Sequence, residues 1–186
     1  MTIIAAVHVP GTGTWIGSDT MASFHDGDAT TYNCEKWILR DDGYALGVSG
    51  SGAMLTALQH RYSSTTGSNY FMRTPFDFSR WLRNVMAGIG AKPKDSDGNV
   101  SWYDFTVLHA WPGGVYSLSS EGGAIMGEPN EIIARGSGMP YAVGAWWGSR
   151  NDDALAYPES RLEDSLACAI RWAGGCGGKP WVRLLK

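Results

Sequence analysis

Short apolar runs closed by glycine or proline alternate along this chain with stretches whose apolar residues recur every three to four positions. Residues 2–8 read as a strand, Pro10-Gly11-Thr12-Gly13 as a tight turn, and residues 14–17 as a returning strand. Residues 35–39 form a further strand, closed by Asp41-Asp42-Gly43, and residues 44–49 an apolar one that Gly50 ends. The period then lengthens. Met54, Leu55, Leu58 and Tyr62 fall at helical spacing, as do Phe78, Trp81, Leu82, Val85, Met86 and Ile89. A second block of strands begins at Tyr103: residues 105–111 turn over at Pro112-Gly113-Gly114 into residues 115–119, a hairpin pattern. Residues 131–135 predict another strand, residues 141–147 and 160–173 two helices, and residues 181–185 a last strand. Runs of strands and helices segregated in this order predict α+β layers rather than an alternating parallel sheet.

Composition bounds what such layers can be. With 186 residues, 44% hydrophobic and 18% charged, wholesale disorder is excluded and one domain over residues 1–186 is expected. A chain of this length buries roughly 70% of its unfolded surface. A net charge of -3, with no two adjacent Lys or Arg, argues against a nucleic-acid or anionic-membrane partner. Cys34, Cys168 and Cys176 are odd in number and widely spaced, which suits neither a disulfide framework nor a zinc site, so no metal is expected. The first eight residues lack the pattern of a signal peptide, and no stretch approaches ~18 apolar residues. A cytoplasmic location follows as the expectation.

Several chemical motifs fail on inspection. Gly50-Ser51-Gly52 would need a third glycine where Leu55 stands. Gly178-Lys179 would need a glycine at Ala173 and a hydroxyl at Pro180 to be a phosphate loop. His8, His25, His60 and His109 have no ligand spacing and are expected at the surface or as hydrogen-bonded filler. Most tryptophans sit at core spacing. Trp146 and Trp147 are adjacent, however, and one helix face cannot bury both, so one is expected at a subunit contact or beside a neighbouring loop.

A set of residues survives these eliminations: a threonine at position 2, Asp19 at the end of the second strand, Lys36 in the next, and small-residue turns at Gly50 and Ser137. The segments Thr2-Ile3-Ile4-Ala5-Ala6-Val7, Gly17-Ser18-Asp19-Thr20-Met21-Ala22-Ser23 and Glu35-Lys36-Trp37-Ile38 carry the pattern. Gly47-Val48-Ser49-Gly50-Ser51-Gly52-Ala53 and Ile133-Ala134-Arg135-Gly136-Ser137-Gly138-Met139-Pro140-Tyr141-Ala142 complete it. In this order the chain resembles the proteasome β-subunits, most closely the bacterial HslV-like form that partners an unfoldase ATPase. That resemblance implies a four-layer αββα sandwich of the N-terminal nucleophile hydrolase type.

It also implies a chemistry and an assembly. A threonine hydroxyl attacks an amide while the α-amine of the same residue moves the proton, and no cofactor is called for. Initiator methionine is commonly trimmed before a small residue, which would expose Thr2. A free α-amine has a pKa near ~8, and a neighbouring Lys36 cation would lower it. The resemblance gives Asp19 the task of holding Lys36, Gly50 N–H that of facing the oxyanion, Ser137 that of bonding near the amine, and Ser23 that of pairing the substrate strand. Polypeptide substrate, a homo-oligomeric ring and an unfoldase ATPase are the implied partners. The chain departs from the family in one stretch: Ala173-Gly174-Gly175-Cys176-Gly177-Gly178 has no Asp, and Cys176 stands where a Ser is expected.

Plainer readings exist for each residue. Thr2 is also an ordinary strand residue behind a retained methionine, Asp19 and Lys36 also a structural ion pair, and the glycine turns also simple strand ends. A catalytically silent assembly subunit and a small-amide amidohydrolase are the two alternatives of function.

Overall fold

The computed structural model describes residues 2–22, 33–50, 52–63, 74–88, 105–119, 123–149 and 157–186. Strand β1 (Ile3–Val9) turns at Gly11 into β2 (Gly13–Ser18), with the Thr12 N–H donating to the Val9 carbonyl at 3.0 Å. On its other side β1 pairs antiparallel with β8 (Ile132–Gly136), and β2 pairs with β9 (Trp181–Leu185), giving the order β8-β1-β2-β9. A second antiparallel sheet runs β3 (Trp37–Leu39), β4 (Ala45–Gly50), β5 (Phe105–Trp111), β6 (Gly114–Ser119), β7 (Ala124–Met126). Helices α1 (Gly52–Ser63) and α2 (Pro75–Gly88) cover this sheet, while α3 (Met139–Gly148) and α4 (Pro158–Trp172) cover the first.

Three buried clusters define the layers. Ile4, Ala6 and Ile16 meet Trp37, Ala45, Leu108 and Val115 between the sheets. Ile3, Ala5 and Val7 point the other way, onto Trp146, Leu162, Leu166 and Ala169. Leu46, Val48 and Tyr116 pack under Leu58, Tyr62, Phe78 and Leu82. The chain is therefore an αββα sandwich. A strand such as β1, covered on both faces, needs apolar residues at every position, which is why Ile3-Ile4-Ala5-Ala6-Val7 does not alternate with polar ones.

The elements match the sequence expectation with shifts of one to three residues at their ends. Thr74 accounts for the early start of α2: its hydroxyl accepts from the Asp77 N–H and so serves as the N-cap. Strand β7 has no counterpart in the hydropathy pattern, because its three residues are all exposed and too few to show a period. Trp146 is 1% exposed and Trp147 46%, so the pair divides as the spacing requires. Arg161 of α4 lies over the Trp146 ring and donates to the Trp146 carbonyl, tying α4 to the last turn of α3. No helix among the described residues is long and apolar enough to cross a membrane.

His109 corrects one expectation. It is neither at the surface nor hydrogen-bonded: it is wholly buried in β5 among the rings of Tyr44, Tyr62, Phe78, Trp111 and Tyr116. Neither ring nitrogen has a partner among the described residues. Burial, with a smaller push from the Arg40 cation, lowers its pKa to about 3. Unfolding frees the ring to take a proton below pH ~6.5, so the unfolded chain binds more protons between there and pH ~3. Stability is then fully present above pH ~6.5 and falls as pH drops, by up to ~1.4 kcal/mol per pH unit from this group. Urea titrations at pH 7.5 and 5 are expected to show this loss in the parent and a smaller one in His109→Phe; equal losses of unfolding free energy in the two proteins would contradict it.

Candidate active site

The two sheets contribute the site jointly, at one end of the sandwich. Thr2 immediately precedes β1, and the pairing of Ile3 with Gly136 sets it opposite Ser137. Asp19 immediately follows β2, and its N–H donates to the Ile3 carbonyl at 3.2 Å, so the hairpin register carries Asp19 back beside Thr2. Lys36 comes from the other sheet, just before β3. Its carbonyl accepts from the Val48 N–H at 3.0 Å, and the next residue, Trp37, reaches across between the sheets to donate its indole N–H to the Gly17 carbonyl at 3.0 Å. Gly47 makes room for that ring, since a side chain there would meet it at 2.9 Å. Trp37 thereby locks the strand that delivers Lys36.

These side chains converge on one carboxylate. Asp19 Oδ1 accepts from the Thr2 hydroxyl at 2.7 Å, from the Ile3 N–H at 2.9 Å and from the Lys36 ammonium at 2.5 Å. Thr2 Oγ1 and Lys36 Nζ therefore lie within two hydrogen-bond lengths of each other. Asp19 Oδ2 accepts from the Gly177 N–H at 3.1 Å. Thr2, Asp19 and Lys36 are 5%, 0% and 5% exposed, so the charges sit out of bulk water where their interaction is strong.

Ser137 borders this group. Its hydroxyl lies 3.5 Å from the Thr2 carbonyl, which it meets as a donor, and 3.7 Å from Cys176 Sγ. Burial pushes the Cys176 thiol up, with the Ser137 contact opposing, so the sulfur stays protonated and unreactive. Gly50 is the last residue of β4, exposed, with φ of 115°. Ser23 lies outside the described residues. Among the described residues no three His, Cys, Asp or Glu side chains gather as a metal site.

Gly136 is constrained twice. Its φ is 105°, and a Cβ there would run into the Thr2 carbonyl oxygen and lie 2.8 Å from Ser49 Oγ. Gly136→Ala is expected to cost at least ~2 kcal/mol, combining left-handed backbone strain with displacement of Thr2. Thermal melts test this; a loss below ~0.5 kcal/mol would show that the turn relaxes freely.

Two contributors escape sequence reasoning: the Gly177 N–H on Asp19 and the Trp37 strut. Backbone donors leave no residue-type signature, although a glycine-rich stretch after an amphipathic helix is the weak signal that marks one here.

No protein-family model matches the sequence, and no curated protein matches it either. Solved structures do match, and over the whole chain. The fold is that of the proteasome-type N-terminal nucleophile proteins. BPH of Thiobacillus denitrificans, a proteasome-like protein, superposes with a TM-score of 0.72 at 21% identity, covering 100% of this chain and 99% of its own. The same protein is also solved in complex with epoxomicin. HslV from Trypanosoma brucei gives a TM-score of 0.64 at 15% identity, covering 100% and 99%. The Anbu complex of Pseudomonas aeruginosa, solved as a helical assembly, gives 0.70 at 19% identity, covering 98% of this chain and 80% of that one.

Proposed function

We propose that this chain is a threonine peptidase of the N-terminal nucleophile type, acting on polypeptides within a homo-oligomeric, proteasome-like assembly. One observation carries the reading: the hydroxyl of the residue after Met1 shares a buried carboxylate oxygen with the Lys36 ammonium. Removal of Met1 gives Thr2 a free amine. The Lys36 cation disfavours its ammonium form, so a neutral amine is available near neutral pH.

The amine takes the hydroxyl proton as Thr2 Oγ1 attacks the substrate carbonyl carbon, and the carbonyl electron pair moves onto oxygen, facing the Gly50 N–H. Collapse of the tetrahedral intermediate breaks the C–N bond, and the amine returns the proton to the leaving nitrogen. Water, deprotonated by the same amine, then cleaves the ester and releases the new carboxyl terminus. Asp19 keeps Lys36 and the Thr2 hydroxyl in register throughout, Ser137 flanks the residue that turns over, and Ser23 is the proposed backbone partner of the substrate strand.

The assembly is supported by the half-exposed Trp147 on α3 and by the multimeric form of the Anbu relative. An unfoldase ATPase is the proposed partner and the cytoplasm the proposed compartment. Light scattering with a fluorogenic peptide assay on each fraction tests the reading. Hydrolysis is expected to travel with species well above 20.1 kDa and to be blocked by epoxomicin, the compound solved with BPH. Hydrolysis confined to a monomer would contradict the assembly.

A further inference from the structure

Helix α4 ends at Trp172, and the chain turns tightly before β9, with the Cys176 N–H donating to the Ala173 carbonyl at 3.2 Å. This connection is tied to the residues that follow β2. The Gly177 N–H donates to Asp19 Oδ2 at 3.1 Å, the Gly177 carbonyl accepts from the Thr20 N–H at 3.3 Å, and Thr20 Oγ1 accepts from the Lys179 N–H at 3.0 Å. The bonds run in both directions between the two segments. A simple span from helix to strand has no need to place a donor on a buried carboxylate.

Asp19 does need that donor. Thr2, Ile3 and Lys36 all bond to its Oδ1, and the last side-chain torsion of an aspartate is soft. Rotation about it would swing Oδ1 off the Thr2 hydroxyl; a bond that holds the other oxygen, Oδ2, resists the swing. Gly178 makes the approach possible. Its φ is 78°, and a Cβ there would collide with Thr20 Oγ1, so only glycine lets the turn close on this segment.

We propose that the turn over residues 176–179 is a backbone positioning element for Asp19, in which Gly177 holds the carboxylate on Thr2 and Lys36 and Gly178 permits the contact. It takes the place of a side-chain shell in the stretch that carries no acid, and it rests on the peptidase reading above. Gly178→Ala, in protein freed of Met1, is expected to lower kcat about tenfold to a hundredfold while KM stays within about twofold, because the change acts through Asp19 on the reacting geometry. Should that variant not fold, Thr20→Ala removes the acceptor of Lys179 N–H and is expected to lower kcat severalfold, again at constant KM. Folded variants with the parent kcat, or with KM raised at unchanged kcat, overturn the proposal. A parent without any peptide hydrolysis instead defeats the peptidase reading, and the Gly177 amide then decides the positioning: slow hydrogen exchange in the parent and, in Asp19→Asn, an acceleration at Gly177 at least about tenfold greater than that of the β5 core amides uphold it, whereas equal acceleration overturns it.

Discussion

Thr2→Ala is expected to abolish peptide hydrolysis, lowering kcat/KM by at least about a thousandfold, while fold and assembly persist. In the proposed mechanism the hydroxyl is the attacking atom, and no acyl-enzyme forms without it. Its structural share is small. Asp19 keeps donors from Ile3, Lys36 and Gly177 when the Thr2 hydroxyl is gone, so melting should shift by no more than ~2 kcal/mol. Thr2→Ser retains both hydroxyl and amine and is expected to keep measurable turnover, losing only the methyl that restricts the rotamer. Equal activity in Thr2→Ala and the parent would place the chemistry elsewhere.

Asp19→Ala is expected to fail on stability as well as on turnover. It strands the Lys36 ammonium in a site 5% exposed, and an uncompensated buried charge costs ~3–5 kcal/mol. The double variant Asp19→Leu with Lys36→Met separates the two roles. Apolar replacement removes the stranded charge, so denaturant midpoints should recover in part while hydrolysis stays absent; the remainder is the cost of the Thr2 hydroxyl and the Ile3 and Gly177 N–H groups losing their acceptor. Recovery of hydrolysis along with stability would reduce the pair to a structural one. Lys36→Ala alone should damage turnover nearly as much as Thr2→Ala, since groups acting as a unit give non-additive losses.

Much of the layering was legible because burial imposes continuous apolar runs on strands covered on both faces and a period of 3.6 on helices covered on one. Phe78, Leu82, Val85 and Met86 announce the buried face of α2, and the apolar runs of β1 and β5 announce strands covered on both sides. Exposed Ile125 and Met126 announce nothing, and β7 is held by backbone pairing to β6 that no hydropathy pattern records. At the site, Thr2, Asp19 and Lys36 could be named from residue type and order. Their convergence on one oxygen depends on the β1–β2 register and on Trp37 spanning the sheets, both long-range. The Ala173–Gly178 stretch shows the limit most clearly. Read by side chains it lacks a supporting acid, whereas the fold turns its backbone toward Asp19 and supplies a donor instead. His109 errs in the opposite direction: a polar residue type conceals a position packed wholly among rings.

The α-amine is the point on which the mechanism stands or falls. Two preparations differing only at the N-terminus, one beginning at Thr2 and one with Met1 retained, should be verified by intact mass and assayed with the same fluorogenic peptide. In the second, the Thr2 nitrogen is an amide with no lone pair free to act as a base, although the hydroxyl remains. The Thr2-first protein is expected to turn over, and the Met1-bearing one to be as inactive as Thr2→Ala. Hydrolysis at full rate with Met1 retained would contradict the N-terminal nucleophile mechanism; no hydrolysis in either form would make the chain a silent subunit of the same fold.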